Sequence, residues 1–148
     1  AAGRVTRRAA PVDSAGARLH SGAMIQTLPL VALGGALGTT ARYLVSVAAL
    51  RAFGPGFPVA TMAVNISGSF LMGVLVVWLA HVGGQRFAPF LMTGVLGGYT
   101  TFSAFSLDAA TLWERGAHLQ AGLYVAGSVT LSLAALLLGA AVARWVAA

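Results

Sequence analysis

The sequence has no cysteine, no lysine and only three acidic residues, Asp13, Asp108 and Glu114. The missing cysteines exclude disulfides, thiol nucleophiles and Cys-ligated metals. The scarcity of charge excludes more. Only 8% of the 148 residues are charged, whereas a soluble domain carries roughly a quarter. With 58% of residues hydrophobic, an unfolded chain and an ordinary soluble enzyme are both ruled out. The net charge of +6 comes from nine arginines, four of them within the first 18 residues. They form no clustered basic stripe of the kind that follows a phosphate backbone, so no nucleic-acid partner is expected. Neither a Gly-rich phosphate loop with its lysine nor a His/Glu metal spacing is present. No nucleotide or organic cofactor is therefore expected.

What the chain does contain is long uncharged runs. Arg18 and Arg42 enclose 23 uncharged residues, Arg51 and Arg86 enclose 34, Arg86 and Asp108 enclose 21, and Arg115 and Arg144 enclose 28. A membrane-spanning helix needs roughly 20 mostly apolar residues. The pattern predicts an all-α integral membrane protein with four transmembrane helices, near 28–50, 59–80, 87–112 and 120–146. The turn Phe53-Gly54-Pro55-Gly56-Phe57-Pro58 cannot continue a helix. His81 to Arg86 is short and polar, and Gly116 is placed to end a helix. Connections this short make neighbouring spans antiparallel.

Residues 1–23, rich in Ala, Arg, Gly and Ser, are read apart from the four-span membrane unit 24–148. Their composition predicts a disordered tail, or sequence upstream of a start at Met24. The segment governs orientation. Without it, Arg86 and Arg144 on one side face Arg51 and Arg115 on the other, which gives no positive-inside bias. With it the count is six against two, and the N-terminus should be cytoplasmic.

Polar groups inside spans are costly and ordinarily face a partner or a wet path. Arg42 lies about 21 Å along the first span from Leu28 at the helical rise, on one face with Gly34 and Gly38. It either snorkels to the interface or enriches anions at a vestibule. Asn65 shares a face with Ser69 and Met72 in the second span. A lone membrane Asn usually makes an interhelical hydrogen bond. The third span reads Gly97-Gly98-Tyr99-Thr100-Thr101-Phe102-Ser103-Ala104-Phe105-Ser106. This predicts a helix broken mid-membrane, whose freed carbonyls either line a cavity or bind an ion. Phe102 and Phe105 present either packing surface or positive ring edges for an anion. In the fourth span Tyr124, Ser128 and Ser132 form one hydroxyl stripe at i, i+4, i+8. A cation or proton path would carry Asp or Glu rings. A lining rich in donors and poor in acids suits a small anion.

These residues resemble the Fluc (CrcB) family of bacterial fluoride channels. The likeness runs from about Gly34 to Ser132 and rests on three motifs. They are Gly34-Gly35-x-x-Gly38-x-x-x-Arg42-Tyr43, Thr61-x-x-Val64-Asn65-x-x-Gly68-Ser69-Phe70 and, most specific, the Gly97–Ser106 run. The resemblance implies a passive channel exporting fluoride from the bacterial cell, in the inner (plasma) membrane. It implies an antiparallel, dual-topology dimer of two copies of the chain. It places Asn65, Phe102, Phe105, Tyr124, Ser128 and Ser132 on the fluoride pathway and Arg42 at a vestibule. It also implies a structural Na⁺ held by the backbone carbonyls of Gly97 and Thr100. Asp108 departs from the family's frequent Glu, and residues 1–23 have no counterpart there. Two other readings remain at this stage. One is a small proton-coupled anion transporter using Asp108, and the other is one subunit of a heterodimeric channel.

Overall fold

The computed structural model describes residues 14–148, and all its regular elements there are helical. Residues 1–13, part of the segment read as a tail, lie outside the described residues. Helix α1 runs Ser14–Phe53, so residues 14–23 are helical and continuous with the first span. Half of these ten residues are Ala, Arg or Leu, all good helix formers. Helix α2 spans Val59–His81. A 3₁₀ turn, Gln85–Phe87, leads into α3, residues 89–99. Its first part, Pro89–Leu96, is π-helical, and Gly97–Tyr99 adds one α-turn. Helices α4, Phe102–Glu114, and α5, His118–Val146, complete the chain.

Among the described residues, three helices are long and apolar enough to cross a membrane: Thr27–Phe53, Val59–His81 and His118–Val146. The run predicted as the third span is not one helix, because it divides between α3 and α4. Helix α2 packs mainly on α5, and α1 mainly on α3. The turn after α4 closes as sequence chemistry predicts. Gly116 takes φ 76°, and the Gly116 and Ala117 N–H groups donate to the carbonyls of Trp113 and Leu112 at 2.9 and 3.0 Å. This is a Schellman closure, in which a left-handed glycine lets two orphan carbonyls be satisfied.

The apolar residues are distributed as in a membrane protein. Few side chains are fully buried, chiefly Tyr124, Leu79 and Val64, while Leu33, Leu37, Leu133 and Trp145 face outward. An exterior this apolar needs a non-aqueous solvent. Inside, backbones meet closely rather than through large side chains. A Cβ at Gly34 would come within 2.5 Å of the Phe90 carbonyl oxygen, and one at Gly38 would collide with the Val95 carbonyl oxygen. A Cβ at Gly98 would lie 2.6 Å from the Gly35 carbonyl oxygen. Small residues allow this approach of α1 to α3. Gly38→Ala is therefore expected to destabilise the fold by about 1–3 kcal/mol. Thermal unfolding in detergent checks this, and an unchanged midpoint contradicts the packing described.

Candidate functional site

The site is built around the break between α3 and α4. Thr100 (φ −84°, ψ 159°) and Thr101 (φ −154°, ψ 120°) are extended. The glycines before them stay helical. Two side chains hold the break open. Asn65 on α2 accepts from the Thr101 N–H through Oδ1 at 2.8 Å. Its Nδ2 donates to the Thr101 carbonyl at 3.0 Å. Thr101 Oγ1 in turn accepts from the Ala104 N–H at 3.2 Å and caps α4.

These bonds have a consequence for the backbone before the break. In a continuous α-helix the Gly97 carbonyl would accept from the Thr101 N–H, and the Thr100 carbonyl from the Ala104 N–H. Both donors are instead taken, by Asn65 and by the Thr101 hydroxyl. The two carbonyls expected to hold a cation have thus lost their helical partners, and Gly97 is exposed on the surface of the chain. Such oxygens are suitable ligands for a hard cation.

Beside the break lies an open groove of about 290 Å³. Asn65, Phe102, Phe105, Ser128 and Ser132 all line it, so five of the six predicted pathway residues come together. Among the described residues the lining contains no acid and no base. Asn65 uses one amide N–H on Thr101 and retains a second. Ser128, only 4% exposed, has a buried Oγ with no hydrogen-bond partner among the described residues. An unpartnered buried hydroxyl is costly and invites a ligand. Phe102 and Phe105 sit with ring centroids 5.4 Å apart. Phe105 is buried at 9% exposure while Phe102 is 77% exposed.

Tyr124, the sixth residue, does not line this groove. Its ring is fully buried and stacks on Phe105 at 5.3 Å. Its hydroxyl donates to Asp108 Oδ2 at 3.1 Å. A tyrosine side chain is long enough to carry its hydroxyl off the stripe that its Cα shares with Ser128 and Ser132. Arg42 lies apart from the groove as well, in a separate cavity of about 220 Å³ with Thr39, Ser46, Thr61 and Thr101. That cavity touches the break only through Thr101.

Sequence reasoning missed the part played by Thr101. The signal was available, since a Thr immediately before a run of helix-compatible residues is a cap candidate. It also missed Phe57, whose ring meets Tyr124 edge-on at 5.7 Å and 88°. A Gly/Pro turn gives no sign of which of its side chains folds inward.

Long apolar helices, an outward-facing apolar surface and a helix broken beside a polar groove define a multi-pass helical membrane protein. The family model described as "CrcB-like protein, Camphor Resistance (CrcB)" matches residues 29–140. The chain belongs to that family. It is 66% identical to the "Fluoride-specific ion channel FluC" of Cereibacter sphaeroides (strain ATCC 17029 / ATH 2.4.9) over 125 residues. The match covers 84% of this chain and 100% of that protein. The proteins of the same name from Ruegeria sp. (strain TM1040) and Paracoccus denitrificans (strain Pd 1222) are 60% and 59% identical. Those matches cover 83% and 82% of this chain, and 98% and 97% of theirs.

Proposed function

We propose that the protein is a passive fluoride channel that lets fluoride leave the cell across the cytoplasmic membrane. The observation that carries this is the groove that gathers an amide, five hydroxyl side chains and two phenyl rings with no ionisable side chain among the described residues. Fluoride is small and strongly hydrated, so a pathway must replace its water with donors. N–H, O–H and the positive edge of an aromatic ring do so; carbonyls and carboxylates do not. HF is a weak acid that enters cells neutral and dissociates inside. A passive pore then suffices, because the inside-negative potential drives the anion out. Relatives at 59–66% identity bear the name of fluoride-specific channels. Release of fluoride, but not of chloride, from vesicles holding the purified chain tests the reading. Equal release of both ions would count against it.

In this reading α3 and α4 together make the remaining membrane crossing, and the working unit is an antiparallel, dual-topology dimer. Two features support a second copy. Phe102 is a pore candidate that one chain leaves almost uncovered. The hydroxyls of Ser67, Ser103 and Ser106 are also exposed, and that polarity suits a protein partner better than lipid. The Gly97 and Thr100 carbonyls of both copies would hold Na⁺, which supplies charge that fixes the broken helices together. Replacing Na⁺ with a large organic cation is expected to abolish flux over a slow phase, because an ion between two copies exchanges slowly. Measured fluoride release that is indifferent to prolonged Na⁺ removal would refute the assignment.

A further inference from the structure

We propose that the cavity where the α1–α2 and α4–α5 turns meet is an anion-gathering mouth, and that Arg115 is the residue that draws the anion in. The proposal rests on the channel reading above and extends it to a part of the molecule with no assigned role.

The cavity measures about 310 Å³. Asp108, Thr111 and Arg115 line it from α4 and the residue that ends it, at i, i+3 and i+7. Ser46 and Thr61 add hydroxyls from α1 and α2, and Phe57 forms part of the wall. A row of three rings separates this cavity from the groove at the break. Phe57 touches Tyr124, and Tyr124 touches Phe105, which lines the groove. The bond from Tyr124 to Asp108 spans the same partition. The hydroxyl stripe of α5 therefore passes to the polar face of α4 at this point and leads to the end of the bundle.

Charge then assigns the role of Arg115. An anion in this cavity meets the Asp108 carboxylate and the carbonyl end of α4, both unfavourable. Arg115 is the one cationic side chain lining the cavity among the described residues. It is exposed and forms no ion pair there. It offsets the carboxylate and leaves the mouth neutral. Without it the cavity carries a net negative charge where the anion must pass. A cation in a cleft raises local anion concentration in a manner screened by salt.

The test uses the full chain in proteoliposomes, with initial fluoride release read by an ion-selective electrode. Arg115→Gln should lower the rate by about three- to tenfold at low fluoride and low ionic strength. The deficit should close as an impermeant salt or the fluoride concentration is raised. Arg115→Lys should retain most of the rate, because a point charge suffices. Arg51 lies in the last turn of α1, at the same end, without lining the cavity. Arg51→Gln should change the rate by less than about twofold. The proposal is overturned if Arg115→Gln has no effect at low ionic strength. It is equally overturned if the loss is the same at every ionic strength, or if Arg51→Gln reproduces it. No fluoride release from the unmodified protein at any concentration would overturn the channel reading itself.

Discussion

Replacing Phe102 with isoleucine is expected to stop fluoride release while leaving the fold intact. Isoleucine is apolar and of comparable size, but it has no positive ring edge to meet a dehydrating anion. Loss of about 3 kcal/mol of stabilisation along the path corresponds to roughly a hundredfold in rate. Phe102 is the sharper of the two positions because its ring is 77% exposed in the single chain. Its removal therefore costs little packing within that chain. Phe105→Ile should block flux too, yet it also removes the stack on Tyr124, worth about 1 kcal/mol. The measurement is vesicle efflux beside size-exclusion chromatography in detergent. Full flux in both single variants would remove the phenylalanines from the pathway.

The second large effect is expected at Asn65. Its amide satisfies both the N–H and the carbonyl of Thr101, and Asn65→Ala leaves both backbone groups without a partner. Each unmet buried group costs about 1–3 kcal/mol, so the variant should lose roughly 2–5 kcal/mol of stability. Flux should fall with it, because the same amide lines the groove. Asn65→Asp is the more severe change for transport. It keeps an acceptor for the Thr101 N–H but sets a negative oxygen against the Thr101 carbonyl and puts an acid in an acid-free groove. Thermal unfolding and efflux on the two variants separate the structural role from the transport role. An alanine variant as stable as the parent contradicts the bond network at the break.

The elements that were legible in the sequence are those set by local chemistry. Charge-free runs placed α2 and α5 to within a residue or two, and Gly116 marked the end of α4. Five of the six residues that the family resemblance placed on the pathway line the groove, and Ser128 and Ser132 share it because i, i+4 spacing fixes a helix face. What the sequence left hidden depends on partners far along the chain. Of the glycine and threonine run that predicts the break, Gly97 and Gly98 stay helical, and α1 packs against Gly98 at Gly35. The break falls at Thr101, where Asn65, 36 residues away, captures the backbone. The π-helical stretch Pro89–Leu96 has no compositional mark. The hydroxyl of Tyr124 left its predicted stripe for Asp108, since its reach exceeds the helical spacing that grouped it with the serines.

What drives fluoride across the membrane separates a channel from a coupled transporter. Purified protein is placed in fluoride-loaded liposomes without a pH gradient, and a potassium ionophore sets the membrane potential. A passive channel gives release that follows the imposed voltage, carries net charge and needs no proton gradient. Release that occurs only with a proton gradient and is lost in Asp108→Asn would contradict it, and would make Asp108 a proton carrier in a coupled transporter.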